Sequence, residues 1–179
     1  TTRQGYTMGV AKRSIWILAL LLYNGIVAPI SLADLIPEEI SSGSEVLLGY
    51  SVSYALIIEL SNYPPGPWVD LDSIPAELDE VERLLREQDV WTITRLRNPD
   101  ITELRAGFET FICDHGAEKE ARLIIFYAGH GYTTAEGNAY LVPRTSADPQ
   151  KNPKMFSVEA LDMKQVTTWA RQIQSKHVL

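Results

Sequence analysis

Cysteine is almost absent from this 179-residue chain, with Cys113 its sole representative. A lone cysteine excludes an internal disulfide framework and any cysteine-rich zinc site. Histidine is scarce as well. His115, His130 and His177 do not pair at metal-ligand spacing, so no metal is expected. Basic residues are outnumbered, 16 against 23 acidic, for a net charge of −7. That balance argues against a nucleic-acid partner, which needs a basic face to neutralise phosphates. The chain has no G-x-x-x-x-G-K-[ST] phosphate loop and no G-x-S-x-G nucleophile elbow. The G-x-G at Gly129 and Gly131 lacks the third glycine of a dinucleotide fingerprint. There is no internal repeat and no low-complexity tract. What is present is ordinary globular usage, 45% hydrophobic and 22% charged, in a length that suits one domain with a sizeable core.

The N-terminus has its own pattern. Lys12 and Arg13 precede an apolar run over residues 15–23, IWILALLLY, followed by Pro29 and the small residues Ser31 and Ala33. A basic start, an apolar stretch and small residues at a cleavage site form the plan of a secretory signal peptide. From the first methionine, Met8, to Ala33 is 26 residues. Residues 1–33 are therefore expected to lie outside the fold, as a signal peptide or as an N-terminal anchor in which residues 15–33 hold the chain at a membrane. The expected location is exported, periplasmic or extracellular, or else membrane-anchored. Removing residues 1–33 takes away Arg3, Lys12 and Arg13 and no acid, leaving 13 basic and 23 acidic residues and a charge of −10. Residues 34–49, with Pro37 and the run Ser41-Ser42-Gly43-Ser44, read as a linker, and residues 50–179 as the folded domain.

That domain alternates strand and helix. Residues 54–60 (YALIIEL) and 123–127 (LIIFY) are short apolar runs of buried-strand type, and residues 90–96 and 140–142 add two more strands. Helices are expected over 74–88, with Leu78, Val81, Leu84 and Leu85 on one face, and from a capping box at Asp100 and Glu103 to Gly116. A third begins near Asp162 and Gln165, with Val166, Trp169 and Ile173 inward. Residues 177–179 look like the start of another strand. This order predicts an α/β fold of three layers, a mostly parallel sheet with helices on both faces, incomplete at the C-terminus. Sites in such sheets lie at the carboxyl ends of the strands.

His130 occupies such a position, after an apolar strand and between Gly129 and Gly131. The flanking glycines are expected to let the backbone bend sharply and leave the imidazole accessible. Histidine is the usual general base near neutral pH. His115, at the end of a helix, is expected to be a surface residue. The sequence Tyr127-Ala128-Gly129-His130-Gly131 resembles the histidine motif of the caspase-like cysteine peptidases, the group of caspases, metacaspases and their bacterial relatives. Residues 55–58 followed by Ser61-Asn62-Tyr63 resemble the family's first core strand, although Glu59 stands where many bacterial members have glycine. Tyr140-Leu141-Val142-Pro143 resembles the segment after the histidine. The resemblance covers residues 54–179.

The resemblance implies a p20-like peptidase domain working by a Cys–His dyad, without a cofactor, on peptide or protein substrates. His130 would be the catalytic base and acid, and the backbone N–H of Gly131 the oxyanion donor. In caspases the cysteine follows the histidine by about 50 residues. Here 49 residues follow His130, and the nucleophile is absent from them. Cys113 lies upstream near a helix end and reads as a small structural residue. The expectation is a domain truncated before its nucleophile, supplying the histidine half and inactive alone. The rival reading is a non-catalytic pseudo-peptidase that serves as an interaction module. Caspases that cut after Asp use an arginine in the loop after the first strand. Residues 61–73 contain no basic residue but do contain Asp70 and Asp72, which either only solvate the loop or, as the resemblance would have it, give a metacaspase-like preference for Arg or Lys before the cut. Trp68, in the same loop, either covers a pocket or packs.

Overall fold

The computed structural model describes residues 12–23, 26–29, 52–88, 91–175 and 177–178. In chain order the elements are β1 (Lys12–Tyr23), β2 (Ile26–Pro29), β3 (Val52–Glu59), α1 (Ile74–Arg86), β4 (Trp91–Arg97), α2 (Ile101–His115), β5 (Ala121–Thr133), β6 (Ala139–Leu141), α3 (Pro153–Glu159), β7 (Leu161–Asp162), α4 (Met163–Ala170) and β8 (His177–Val178). The main path of the sheet runs β2-β1-β8-β5-β3-β4, with β6 and β7 branching from β5. The neighbours β4, β3, β5 and β8 are parallel, whereas β1, β2, β6 and β7 join antiparallel. The sheet is therefore mixed rather than mostly parallel: the run β4-β3-β5-β8 is the parallel α/β core that the alternation of elements predicts, and the antiparallel strands are added around it.

Side-chain alternation separates its two faces. Arg95 on β4 pairs with Glu59 on β3 and reaches Asp79 and Glu82 of α1, so α1 covers one face. Tyr54, of opposite parity on β3, stacks on His115 of α2 with ring centroids 3.7 Å apart, so α2 covers the other. Gly107 explains how closely α2 seats: a Cβ there would lie 2.2 Å from Leu96 Cδ1 on β4. Phe108 of α2 stacks on Trp169 of α4 at 5.4 Å, placing α4 on the same side. Asp100 caps α2 as expected: its carboxylate accepts from Thr102 and Glu103 N–H, and Glu103 accepts from Asp100 N–H. The core fills from both faces, with Leu56, Ile57, Ile58, Leu104, Leu123 and Tyr127 fully buried.

Residues 12–23, within the segment expected to be a leader or anchor, form β1 and pair antiparallel with β5 from Ala19↔Phe126 to Lys12↔Thr133. The linker at residues 34–49 lies outside the described residues. Several other expectations need correction. β5 continues well past Tyr127, because β6 pairs with Gly131, Tyr132 and Thr133 and prolongs it. α3 is an additional helix, started by the Asn152 side chain accepting from Met155 N–H and by Pro153 in its first turn. α4 stops at Ala170, so Ile173 packs on the core from beyond the helix. His115 is half-buried between Tyr54 and Phe111 rather than a surface residue.

Candidate active site

His130 lies within β5, not after it. β3 ends at Glu59, opposite Ala128, so β5 outruns its parallel neighbour and carries His130 beyond the carboxyl end of β3. Only Asn98 and Gly137 have positive φ among the described residues. The glycines beside His130 therefore do not make a sharp turn. Gly129 serves close approach instead: a Cβ there would stand 2.8 Å from Leu60 Cβ and 2.9 Å from the Tyr127 hydroxyl.

The loop after β3 folds over His130. Asn98 at the end of β4, in the left-handed conformation at φ 49°, starts it. Its side-chain oxygen accepts from Ser61 and Asn62 N–H, both at 2.8 Å. The loop closes where Leu71 N–H donates to the Ser61 carbonyl at 2.8 Å. Tyr63 and Trp68 project inward and pack on the imidazole, with centroids 4.9 and 5.4 Å from it. Trp68 thus packs over the site and also donates its indole N–H to the Ser146 carbonyl at 2.9 Å. Phe156 of α3 backs it at 6.1 Å.

The His130 backbone is held by two buried phenols. Its N–H donates to the Tyr63 hydroxyl at 3.1 Å, and that hydroxyl donates to the Val142 carbonyl at 3.2 Å. Its carbonyl accepts from the Tyr127 hydroxyl at 2.8 Å and from Val142 N–H at 3.0 Å. Burial pushes the Tyr63 phenol well above its ordinary value, with the His130 N–H bond opposing, and burial pushes Tyr127 up too. Both hydroxyls are therefore neutral donors at any physiological pH.

The ring has one decisive contact: Nε2 lies 2.8 Å from the Val69 carbonyl. A carbonyl only accepts, so Nε2 carries the proton and the neutral ring's lone pair is on Nδ1. His130 itself is 7% exposed. The trans peptide after it also has a direction. The His130 carbonyl faces Val142, so the Gly131 N–H faces the opposite way, toward the edge along which β1 runs.

The other sequence-derived candidates fall out as follows. Asp70 is beside the site, but its Oδ1 accepts from Tyr63 N–H at 2.7 Å. Asp72 is exposed in the turn before α1. Cys113 is exposed on α2. By strand parity His130 shares a face with Ala128 and Glu59, the α1 face, so Cys113 is on the opposite side of the sheet. Sequence reasoning missed Val69, because a backbone carbonyl leaves no residue-type signal. Among the described residues no group of three or more His, Cys, Asp or Glu side chains is assembled to hold a metal. Nor is any helix among them long and apolar enough to cross a membrane.

An α/β domain with an oriented histidine at the carboxyl edge of its parallel strands, buried rather than accessible as expected, is the class these observations define. The family model of the caspase domain, Peptidase C14, matches residues 52–168, well over half of the chain, and the chain belongs to that family. The assignment is to a family of cysteine peptidases, whose substrates are proteins. No curated protein matches the chain.

Proposed function

We propose that this chain supplies the histidine half of a caspase-like cysteine endopeptidase. The observation that carries the reading is the imidazole whose Nε2–H is fixed on the Val69 carbonyl. That bond directs the Nδ1 lone pair to chemistry. In the proposed cycle Nδ1 takes the proton of a cysteine thiol, and the thiolate adds to the scissile carbonyl. The oxyanion that forms is held by the Gly131 N–H, on the edge of β5 along which β1 runs. Nδ1–H then protonates the leaving amine as the C–N bond breaks, and water hydrolyses the thioester, returning the thiol. The sole thiol of the sequence, Cys113, is on the other face, so the nucleophile comes from outside these 179 residues.

The test is peptide hydrolysis. The 179-residue chain alone is expected to turn over no reporter. In a form of the protein that carries a nucleophile and cleaves peptides, His130→Ala is expected to lower kcat by about 10²–10⁴-fold or more. Turnover by the 179 residues that is lost in His130→Ala would show that the nucleophile is among them. Binding of peptides without cleavage would favour the interaction-module reading, which the position of Cys113 away from the site supports. The acidic loop favours basic residues before the cut. Cleavage of Asp-ended and not Arg-ended reporters would overturn that preference.

The N-terminal pattern supports export with cleavage after Ala33. Such cleavage takes β1 out of the sheet and bares the β5 edge that carries the Gly131 N–H. N-terminal sequencing of secreted protein is expected to begin at Asp34. A mature form retaining residues 12–23 would sink the leader reading and leave the anchor.

A further inference from the structure

Val69 presents its side chain to solvent, 67% exposed, yet its carbonyl is the partner of His130 Nε2. The residue contributes backbone alone to the site. Its carbonyl direction is therefore set by its neighbours, and both are anchored. Trp68, before it, is buried and donates to the Ser146 carbonyl. Asp70, after it, accepts at 2.7 Å from the N–H of Tyr63, the same residue whose hydroxyl receives the His130 N–H. The segment from Tyr63 to Asp70 is thus pinned at both ends, by one carboxylate and one hydroxyl, around the histidine it orients. The solvent-exposed position of Asp70 makes its bond to Tyr63 a specific link and not a by-product of burial.

We infer that Asp70 is a positioning residue: its carboxylate clasps Tyr63 N–H, which aims the Val69 carbonyl at His130 and fixes the imidazole in its Nε2–H form. The inference deepens the proposed peptidase reading and rests on it for its importance to activity. The clasp itself is read without substrate. It also gives Asp70 a role distinct from attraction of a basic substrate side chain, because clasping needs an acceptor oxygen and attraction needs a charge. Asp70→Asn keeps an oxygen acceptor and removes the charge; Asp70→Ala removes both.

The experiment is nitrogen-15 NMR of the His130 ring in the 179-residue chain, recorded at alkaline pH with the neutral ring, together with amide exchange at Tyr63. In the wild type the two ring nitrogens are expected to have widely separated shifts, marking a single tautomer. In Asp70→Ala, with the far-ultraviolet circular dichroism unchanged, the two shifts should converge as the tautomers mix. Tyr63 amide exchange should accelerate by about fivefold, the effect of one ordinary hydrogen bond. Asp70→Asn should keep the wild-type ring spectrum and slow exchange. Wild-type ring shifts in a folded Asp70→Ala chain, or equal convergence in Asp70→Asn, would overturn the clasp. Neither outcome depends on peptide cleavage, so failure of the clasp and failure of the peptidase reading are separate results.

Discussion

Two neighbouring places on the same face of the sheet bury polar groups in opposite ways. At the ends of β3 and β4, Glu59 is paired with Arg95, which donates from Nε at 3.0 Å and from a terminal nitrogen at 2.5 Å. The other terminal nitrogen of Arg95 reaches Asp79 at 2.6 Å and Glu82 at 2.9 Å, and Ser61 donates to the second Glu59 oxygen at 3.3 Å. Every charge there is answered by another. Burial pulls the Arg95 guanidinium down, and the bonds to Glu82, Glu59 and Asp79 outweigh it and hold the group above its ordinary value. At the end of β5, three neutral groups help to hold His130: the Val69 carbonyl at its ring, and the Tyr63 and Tyr127 hydroxyls at its backbone. A saturated ion cluster fastens strands together. A histidine whose Nε2–H is fixed on a carbonyl has its acceptor nitrogen at Nδ1 when the ring is neutral. The contrast also accounts for Glu59, the position that departs from the family pattern: its carboxylate is the counterion of Arg95 across the β3–β4 register.

If that contrast is right, the two places fail under different insults. The largest effect is expected from Arg95→Ala, which leaves Glu59 as a buried charge with only the exposed Arg97, 3.9 Å away, and the Ser61 hydroxyl to answer it. It should cost about 3–5 kcal/mol in urea unfolding. Replacing both partners, Glu59→Leu with Arg95→Met, should recover most of the loss. An additive loss in the double variant would break the comparison.

The pH dependence should divide in the same way. Arg86, then Arg95, hold the Glu82 carboxyl below its ordinary value against the opposing effect of burial, so its contribution is present above about pH 4.5 and lost as pH falls through the lowered value. The raised phenols of Tyr63 and Tyr127 work from the other side. Their contribution is present below about pH 10, the ordinary phenol value, and lost as pH rises above it. Unfolding midpoints measured across pH should therefore fall at both extremes. Tyr63→Phe should blunt the alkaline limb and leave the acid limb unchanged.

Gly129→Ala is expected to cost about 1–3 kcal/mol by overpacking against Leu60 and Tyr127, measured as a lower thermal midpoint. The smallest effect should come from Val69→Ala, within about 0.5 kcal/mol of wild type, because only its carbonyl belongs to the site. A large loss there would show that the side chain, not the backbone, matters.

Much of the fold was legible locally. α1 and α2 were readable from apolar spacing, and the start of α2 from Asp100 and Glu103, which bond their own backbone within three residues. His130 stood out because glycine flanks it at the end of an apolar run. The site around it was not legible. Its contacts join residues 61 to 79 positions apart, Val69 to His130, Tyr63 to His130 and Tyr63 to Val142. Asp70 read as a pocket charge, since a carboxylate's acceptor role toward a distant-facing N–H has no sequence signature. The antiparallel extension of β5 was missed because β6 supplies its pairing from beyond a turn.

The sequence by itself determined the alternation of strands and helices, the family and the place of its histidine motif, because periodicity, caps and that motif are written in neighbouring positions. Only the tertiary structure decided which nitrogen of His130 keeps the lone pair, and that Cys113 stands across the sheet from it. Both depend on register and side-chain alternation, which take effect only once strands far apart in sequence lie side by side.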